Sequence, residues 1–558
     1  MAEHFDLLRE QHRFNVGRFV TLVVVVILAY VVLLTRLLIV TYFDHEFWLD
    51  KRQRRFIVQQ NFPTHRQKIL DKNNFLLATH LKTLSLGWQP AYYDQLTEDN
   101  KSFLSLLLDQ DINSLDEALQ RPKKFIYLKR KILLSAENLL RLKKIQGVFV
   151  FNEDKRFYPL EDHTAQLLGF LNIDNHGAEG VEFAFDHQLH SKPFFRKKLR
   201  DPKGRVLMYE DVVYPHQTSL NLSIDSRFQT IIFNGLEHYY KKHKVASFSA
   251  ILVDAQTAAL LAVGSYPSFN PNQNQQYHLG YRLKPFLDSY EPGSTMKPFS
   301  VACVLSKHPE SINDFHIKTT PGYFMLDGHK ITDVTKREEI NLIDILLYSS
   351  NIGLTRLLQQ YTDCDLEGCL KKFGFDSLTE IELFNEVGPY YPAKIKAGSF
   401  VEATLSFGYG LQINLAQLAR AYTVLANHGV LKPMTLLKDN IVKYQGNQVI
   451  ESHVADAIKN ILQRVVEEGS GKKAYLKDYS IAGKTGTAQR VGLHGYEQRY
   501  HAFFAAIFPV EHPRYVLIIH ADDPQGQIYG GQICAPLAKD LIPKLLAVSE
   551  VPSYARSH

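Results

Sequence analysis

Hydrophobic residues form one almost continuous stretch near the start of the chain, from Phe19 to Phe43, in which Arg36 is the charged residue. A run of this length makes a helix that crosses the ~30 Å hydrocarbon core of a bilayer. A cleaved signal would have a shorter apolar centre followed by small residues, whereas residues 44–50 are DHEFWLD. We therefore predict an uncleaved transmembrane signal anchor at 19–43, with residues 1–18 as a cytoplasmic tail. Basic residues flank both ends, so charge alone leaves the orientation open.

The remaining chain divides into two regions by its pattern. Up to about residue 220, short strand-like runs such as 147–151 mix with helical periodicity at 135–145, which predicts a mixed α/β domain at 44–220. The pattern of 221–548 predicts a helix at 226–243, a hairpin of strands at 247–254 and 258–266, mainly helices from 339 to 426, strands at 501–509 and 514–522, and a closing helix at 534–548. Strands on both sides of a helical insertion predict an α+β fold, an antiparallel sheet with an all-helical lobe. Residues 549–558 form a tail.

Composition excludes several classes of protein. The 558 residues are 45% hydrophobic and 22% charged, which is typical of a globular chain with more than one domain. A net charge of +6 is mild for this length. The densest basic segment, 121–147, interleaves Lys and Arg with Leu and Ile, and no nucleic-acid-binding signature accompanies it. We interpret it as a solvated amphipathic helical face and expect no nucleic-acid partner.

The cysteine pattern indicates neither a disulfide framework nor a zinc site. The four cysteines are Cys303, Cys364, Cys369 and Cys534. Cys364 and Cys369 are close enough in sequence to pair in an oxidising compartment, but their spacing does not show whether the geometry permits it. We expect both thiols to be unpaired.

A serine and a lysine stand one helical turn apart in YEPGSTMKPF, at 290–299. Ser294 and Lys297 are followed by an apolar helical run, so they could meet at the start of a buried helix, where the amine could take the hydroxyl proton. A second such pair, Ser470 and Lys473, contains a glycine and lacks the apolar run, and we interpret it as a solvated loop. A short motif of this kind often arises by chance.

Two later segments strengthen the chemical interpretation. Residues 348–353, YSSNIG, place Ser349 and Asn351 after an apolar helical run, and residues 480–489, SIAGKTGTAQ, place Lys484 at the end of a short strand-like segment. A serine hydroxyl needs a base, and a lysine can be that base if burial and a second cation lower its pKa. Lys484 supplies that cation, Ser349 can relay a proton to a leaving amine, and Asn351 can hold the base and a substrate amide.

The residues after Lys484 suit a peptide that ends in a carboxylate. Thr485 and Thr487 can donate hydrogen bonds to the carboxylate, beside the positive charge of Lys484. Gly486 lets a peptide backbone come close, so that a substrate can add to the edge of this strand. The backbone N–H groups of Ser294 and Thr487 are the expected oxyanion hole.

The three segments STMK, SSN and KTGT resemble the set of motifs shared by penicillin-binding proteins and serine β-lactamases. The resemblance to class B penicillin-binding proteins covers roughly residues 19–545. It includes RQKILDKNNFLLA at 66–78, GAEGVEFAFDHQL at 177–189, ILVDAQTAALLAVGSYPSFNPN at 251–272, FGYGLQINLAQLARAYTVLANHG at 407–429 and DDPQGQIYGGQICAPLAKDL at 522–541. Two residues make the chain resemble the division-specific, septal type. Elongation-specific relatives tend to carry an aspartate at the position of Asn351, and Glu291 stands before Pro292 as in the septal type.

This resemblance implies a fold and an activity. The fold would be a single transmembrane helix, an elongated mixed α/β non-catalytic domain, and a penicillin-binding transpeptidase domain. The activity would be that of a peptidoglycan D,D-transpeptidase, whose Ser294 forms an acyl-enzyme with a stem peptide ending in D-Ala-D-Ala or with a β-lactam. No metal or organic cofactor is implied. A glycosyltransferase of the SEDS family and other divisome proteins would be partners in the inner membrane at the septum, with the catalytic domain in the periplasm.

Other functions remain as alternatives. An elongation-specific class B enzyme would share every motif except the features at Glu291 and Asn351. A β-lactamase-related protein would hydrolyse its acyl-enzyme quickly or, as a β-lactam sensor, carry a cytoplasmic signalling domain, for which 1–18 is short. A non-catalytic divisome scaffold would keep the fold, but the intact set of motif residues favours an enzyme.

Overall fold

The computed structural model describes residues 16–47, 51, 57–62, 66–190, 194–200, 206–209, 219–273, 279–383, 385–393, 395–492 and 495–549. Most of the two predicted tails therefore lies outside the described residues. Helix α1 runs over Val16–Leu38 and continues as a π-helix over Ile39–Phe43. Its side chains are not buried by the rest of the protein, and the helix is long and apolar enough to cross a membrane. It begins three residues before the predicted start of the anchor.

Nineteen strands occur in the described part of the chain. They are β1 (Ile57–Phe62), β2 (Ile69–Leu70), β3 (Leu76–Trp88), β4 (Ile126–Ile132), β5 (Val148–Phe157), β6 (Phe194–Arg200), β7 (Val206–Tyr209), β8 (Leu220–Asn221), β9 (Ser247–Asp254), β10 (Leu260–Tyr266), β11 (His316–Lys318), β12 (Tyr323–Leu326), β13 (His329–Thr332), β14 (Glu339–Asn341), β15 (Val430–Leu431), β16 (Asn447–Gln448), β17 (Ala482–Gly492), β18 (Gly495–Phe508) and β19 (Tyr515–Asp522).

The α-helices after α1 are α2 (Glu98–Leu108), α3 (Ile112–Leu119), α4 (Ala136–Leu142), α5 (Ala165–Leu168), α6 (Gly180–Ala184), α7 (Asp186–Leu189), α8 (Ser226–Lys242), α9 (Lys284–Leu287), α10 (Lys297–Lys307), α11 (Ser311–Asp314), α12 (Leu342–Leu347), α13 (Asn351–Gln360), α14 (Leu366–Lys372), α15 (Phe400–Ser406), α16 (Leu415–Ala426), α17 (Ser452–Glu467) and α18 (Gly530–Val548). Short 3-10 helices lie at Pro90–Gln95, Glu161–His163, Leu279–Tyr281, Gly293–Met296, Lys438–Asn440 and Lys472–Ala474.

The chain separates into two compact units. The first consists of residues 1–64 and 191–217, and it contains α1 and an antiparallel sheet in the order β1-β6-β7, with Ile57 opposite Leu199. The second consists of residues 65–190 and 218–558, and it contains every residue of the predicted active site.

The N-terminal part of the second unit is a sheet in the order β4-β3-β2-β8, with β5 also paired to β3. Its core includes Trp88, Leu104 and Leu115, which are buried between the sheet and helices α2 to α4. The predicted amphipathic helix is wrong for the first half of the basic segment, because β4 occupies Ile126–Ile132. Alternation explains the strand: Ile126 and Leu128 pack against the core while Tyr127 is exposed, and pairing with β3 stabilises it.

Two segments of this part are joined by buried ion pairs. Arg66 Nε lies 2.5 Å from Glu182 Oε2, and Arg156 Nε lies 2.6 Å from Glu182 Oε1. Arg66 Nη1 also lies 2.6 Å from Asp186 Oδ1. The Glu182 side chain is fully buried, and both guanidinium groups are almost so. We call these four residues the ionic cluster; it ties the segment 66–78 to α6 and α7.

A five-stranded antiparallel sheet in the order β10-β9-β19-β18-β17 forms the centre of the second unit. It confirms the predicted hairpin and the two predicted strands near the C-terminus. Helices α8 and α18 cover one face through residues such as Phe228 and Leu537. Helix α16, buried along its whole length, packs with the helical lobe against the other face. The predicted α+β architecture is therefore confirmed.

The helical lobe departs from the sequence prediction in two places. The described residues between α14 and α15 form turns and extended chain, because Pro389 and Pro392 interrupt the predicted helical run. Cys369 is not a free thiol: it forms a disulfide with Cys303, with 5.9 Å between the Cα atoms, whereas Cys364 is free and buried. The partner lies on α10, 66 residues away in sequence, so the packing of α10 against α14 decides the pairing and the short spacing to Cys364 does not.

Candidate active site

Ser294 lies in a tight turn that leads into α10. The turn is the 3-10 helix Gly293–Met296, and α10 begins at Lys297 with Pro298 in its first turn, where a missing N–H costs nothing. Gly293 has a φ of +54°, and a Cβ built on it would lie 2.9 Å from the Thr487 carbonyl oxygen. Glycine is required here because both the conformation and the close approach exclude a side chain.

The turn between α12 and α13 carries Ser349 and Asn351. Ser350 caps α13, because its hydroxyl accepts a hydrogen bond from the Gly353 N–H at 2.8 Å. Ser349 itself has a φ of +61°, the left-handed region that non-glycine residues rarely adopt. In this conformation the carbonyl oxygen of Ser349 faces Lys297, and its hydroxyl faces both Lys297 and Lys484.

Strand β17 presents Lys484 to Thr487 at an edge of the central sheet. In the sheet order, β17 pairs with β18 on one side, and Thr487 stands opposite Ala502. A Cβ on Gly486 would lie 2.7 Å from Thr295 Cγ2 and 3.0 Å from the Pro292 carbonyl oxygen. The glycine thus lets β17 pack directly against the turn that carries Ser294.

Both lysine amines converge on Ser349. Lys297 Nζ donates to the Ser349 carbonyl oxygen at 2.5 Å and to its hydroxyl at 3.3 Å. Lys484 Nζ donates to the same hydroxyl at 3.1 Å and to the Thr485 carbonyl oxygen at 3.1 Å. Both lysine side chains are fully buried. We call Lys297, Lys484 and Ser349 the lysine cluster.

Burial and repulsion make these lysines unusual bases. Burial lowers the pKa of Lys297 well below its ordinary value, the cation of Lys484 lowers it further, and the carboxylate of Asp333 opposes both effects. Burial lowers the pKa of Lys484 to about 7. Burial and the nearby cation both favour the neutral amine, which is the form of Lys297 that a general base requires.

The structure does not show some of the predicted contacts. Within the described residues no hydrogen bond joins the Lys297 amine to Ser294, whose side chain is partly exposed. The Asn351 side chain donates to the Thr332 carbonyl oxygen at 3.0 Å, and among the described residues no hydrogen bond joins it to Lys297. Catalytic hydrogen bonds are often long before substrate binds.

Two residues of the site were missed by sequence reasoning. Ser470, interpreted as part of a solvated loop, is exposed, but its hydroxyl accepts a hydrogen bond from Thr485 Oγ1 at 3.1 Å. Its N–H donates to the Leu347 carbonyl oxygen at 3.2 Å, which places the turn at the end of α12. Asp333 accepts hydrogen bonds from Ser350 and Asn351. A lone aspartate in a polar loop gives no sequence signal.

The groups that could hold a metal lie elsewhere. Among the described residues, His176, Asp186 and His190 bring ligand atoms within 4.8 Å of one another. Asp186 Oδ1 already pairs with Arg66, and the added positive charge of a metal would be repelled by that guanidinium. The lysine cluster offers amines and hydroxyls and lacks the carboxylate and imidazole ligands that metal ions prefer.

Comparison with known proteins gives a consistent result. The penicillin-binding protein transpeptidase domain matches residues 248–543. The chain is 33% identical to peptidoglycan D,D-transpeptidase FtsI of Buchnera aphidicola, over 95% of this chain and 94% of that one. It is 32% identical to FtsI of Escherichia coli, over 95% and 91% of the two chains.

Solved structures share the fold. Penicillin-binding protein 3 of Mycobacterium tuberculosis in complex with aztreonam has a TM-score of 0.66 at 22% identity, over 88% of this chain and 98% of that one. A peptidoglycan synthetase of Bifidobacterium adolescentis has a TM-score of 0.68 at 21% identity, over 90% and 98%.

Proposed function

The chain belongs to the penicillin-binding protein transpeptidase family, and it is a peptidoglycan D,D-transpeptidase of the FtsI type in which, we propose, Ser294 is the nucleophile. Peptidoglycan is the substrate, and β-lactams bind the same domain. The observation that carries the assignment of Ser294 is the lysine cluster, because two buried amines without a carboxylate partner provide the base that a serine nucleophile needs.

The first half of the reaction forms an acyl-enzyme. Ser294 Oγ attacks the carbonyl carbon between the two terminal D-alanines of a stem peptide and transfers its proton to neutral Lys297. The oxyanion accepts hydrogen bonds from the N–H groups of Ser294 and Thr487, whose segments adjoin at Gly293. The C–N bond then breaks, and D-alanine leaves with a proton delivered through the Ser349 hydroxyl, which accepts hydrogen bonds from both lysines.

The second half transfers the acyl group. An amine of a neighbouring stem peptide attacks the ester carbonyl, the Ser294–acyl bond breaks, and the amine proton passes to Lys297 and on to Ser294 Oγ. The new amide is the cross-link. The protons balance without an external acid, because the proton taken from the acceptor amine restores the serine hydroxyl.

Substrate recognition belongs to the edge of β17. A stem peptide that adds to this edge places its terminal carboxylate beside Lys484 and within reach of the Thr485 and Thr487 hydroxyls. Ser470 orients Thr485 through their shared hydrogen bond. Asn351 would leave Thr332 and bind the substrate amide, as its position at the rim of the turn allows.

Labelling with a fluorescent penicillin tests the nucleophile. The strained lactam amide acylates the same serine, so membranes containing the protein should carry label on Ser294, located by mass spectrometry of tryptic peptides. A Ser294→Ala variant should carry none, and Ser306→Ala, at an exposed serine further along α10, should still be labelled. Label on Ser470, or a folded parent chain without label, would contradict the assignment.

The apolar helix from Val16 to Phe43 is consistent with the anchor of a single-pass inner-membrane protein. Its second unit would lie in the periplasm: a disulfide between Cys303 and Cys369 persists in oxidising compartments and is rare in the cytosol, which supports this orientation. Residues 44–220 would form the non-catalytic domain and 221–548 the transpeptidase domain. A membrane-impermeant thiol reagent, applied to intact spheroplasts after reduction, should label Cys369, which is partly exposed, whereas Cys303 is buried and is protected in either orientation. Protection of Cys369 until lysis would reverse the orientation.

The cellular partners follow from the same proposal. The chain would act at the division septum with a SEDS-family glycosyltransferase and other divisome membrane proteins, which supply polymerised glycan strands. Selective depletion should give filaments that elongate without dividing. Rounded cells that continue to divide would indicate the elongation-specific alternative.

A further inference from the structure

The carboxylate of Asp333 accepts hydrogen bonds from the three residues that follow Ser349. We call residues 349–352, the end of the turn and the first two residues of α13, the catalytic turn. Its Oδ1 accepts hydrogen bonds from the N–H groups of Asn351 at 2.5 Å and Ile352 at 3.0 Å. Its Oδ2 accepts the hydroxyl proton of Ser350 at 2.5 Å. Asp333 follows directly after β13, so a separate hairpin holds this turn from outside.

The turn needs such support. Ser349 adopts a left-handed conformation, which an L-residue keeps only when surrounding contacts hold it. Before the strained residue, the Tyr348 N–H donates to the Asp344 carbonyl oxygen, and after it the carboxylate of Asp333 binds three consecutive residues. If the turn relaxed, the Ser349 carbonyl and hydroxyl would leave the two lysine amines, because their directions depend on this backbone conformation.

The negative charge of Asp333 also acts on the Lys297 amine. The charged groups that act on the Lys297 amine are Lys484 from β17 and Asp333 from the hairpin, and their effects have opposite signs. Asp333 is half-buried, so its charge is only partly screened by solvent. Without the Asp333 carboxylate, Lys484 would be the one charged group acting on the Lys297 amine, and its effect is to lower the pKa of Lys297.

We propose that Asp333 is the positioning residue of the catalytic turn: its carboxylate fixes Ser349 against the two lysines and supplies the negative charge that faces Lys297. The proposal rests on the proposed function of Ser294 and Lys297. Asp333 does not touch the substrate; it acts through Ser349 and Lys297.

Two substitutions separate geometry from charge. Asp333→Asn keeps the shape, and its amide oxygen can still accept from the two N–H groups, but it removes the charge. Asp333→Ala removes both. The matched control is Asp365→Asn, because Asp365 caps α14 in the same lobe, accepting from the Gly368 N–H at 2.9 Å, and contacts no part of the catalytic turn.

The measurement is stopped-flow acylation of the full chain by a chromogenic β-lactam across concentration and pH, which gives a binding constant and an acylation constant at each pH. Acylation needs neutral Lys297 and protonated Lys484, so the parent profile should be bell-shaped. Loss of the negative charge makes protonated Lys297 less favourable, so Asp333→Asn should move the acid limb to lower pH. The alkaline limb, which reports Lys484, should stay in place.

Asp333→Ala should lower the acylation constant by ~10²-fold or more with little change in binding, since the base and proton relay lose their arrangement. Asp365→Asn should keep the parental profile, although it removes a helix cap.

A purely structural role would give Asp333→Asn the same profile as the control, and this result overturns the proposal. If Asp333→Ala does not fold, the acid limb of Asp333→Asn still decides. Failure of Ser294 labelling in the parent chain would refute the proposed function, whereas an unmoved limb in a labelled parent refutes only the role of Asp333.

Discussion

The ionic cluster and the lysine cluster are both buried and charged, but they are built on opposite principles. In the ionic cluster each guanidinium lies within 2.6 Å of a carboxylate oxygen. In the lysine cluster, two amines share the Ser349 hydroxyl, and among the described residues no carboxylate lies within ion-pair distance of either. Removing one partner of a buried ion pair destabilises the fold, whereas a buried amine without a carboxylate partner has a lowered pKa and becomes available for chemistry.

The choice of cation follows the same division. Arginine stays protonated, and its planar guanidinium can donate several hydrogen bonds to a carboxylate. This suits Arg66 and Arg156, which both donate to Glu182. Burial lowers the pKa of a lysine, which suits Lys297 as a base beside the cation of Lys484. The two clusters therefore predict different responses to substitution, in the rate of acylation for one and in the stability of the fold for the other.

The largest effect is expected at Lys297. Lys297→Met should lower the acylation constant by ~10²–10⁴-fold while the binding constant stays nearly unchanged, because the amine acts only in proton transfer. Stopped-flow acylation by a β-lactam separates the two constants. Lys459→Met is the matched control, since Lys459 is also buried but pairs with Asp456 at 2.8 Å away from Ser349. If Lys297→Met acylates at nearly the parental rate, or loses only binding, another group is the base.

The opposite response is expected in the ionic cluster. Glu182→Gln should lower the free energy of unfolding by about 3–5 kcal/mol, since it leaves two buried guanidinium groups without their shared carboxylate. The acylation constant per folded molecule should not change. Denaturant unfolding and active-site titration measure the two quantities. Glu237→Gln, which breaks the solvent-accessible pair with Lys241, is the control and should change the free energy of unfolding far less. If folded Glu182→Gln acylates more slowly than the parent, the ionic cluster also contributes to the reaction, and the proposed difference between the two clusters is wrong.

The sequence predicted the parts of the molecule whose signals are local. Strands β9 and β19 could be predicted because their apolar runs are buried on both faces of a central sheet, and the residues of the lysine cluster because each lies in a short motif. The rest depends on contacts that are distant in sequence. Asp333 binds residues 17 to 19 positions away, and Cys303 pairs 66 positions away. No spacing rule predicts either contact, because the packing of the helical lobe creates both.

Strand β4 illustrates a second reason for failure. Residues 126–132 alternate as a strand, but the surrounding Leu, Lys and Arg favour a helix in isolation. Pairing with β3 and burial of Ile126 against the core override that propensity. A local preference that tertiary contacts reverse cannot be recognised before the partner strand is known.

An intermediate effect is expected at Lys484, which belongs to both binding and chemistry. Lys484→Gln should weaken β-lactam binding by roughly 10- to 100-fold, the range expected for the loss of a charge-assisted hydrogen bond to a carboxylate, and it should also slow acylation. The same stopped-flow series measures both constants. Thr485→Val provides a comparison that removes a neutral donor and keeps the charge. Unchanged binding in Lys484→Gln would show that Lys484 does not bind the carboxylate and acts only by lowering the pKa of Lys297.

The smallest effect is a dependence of stability on pH that the lysine cluster should have and the ionic cluster should lack. Burial lowers the pKa of Lys484 from 10.5 to about 7, and the pKa of Lys297 is lowered in the same direction. Between these values the unfolded chain binds the proton that the folded chain has released, so stability should rise with pH above about 7, by at most about 1.4 kcal/mol per pH unit for each lysine. Lys484→Met removes one titration and relaxes the shift of Lys297, so its stability should rise less steeply over the same pH range. Urea unfolding of the parent and the variant, at a series of pH values below those at which ordinary cysteines ionise, measures the difference in slope, with Lys459→Met as the control. Equal slopes for parent and Lys484→Met would mean that Lys484 keeps its proton in the folded state over this pH range, which would contradict the lowered pKa of Lys484. A parent whose stability does not rise with pH at all would mean that both lysines keep their protons and that the lysine cluster is a pair of buried cations.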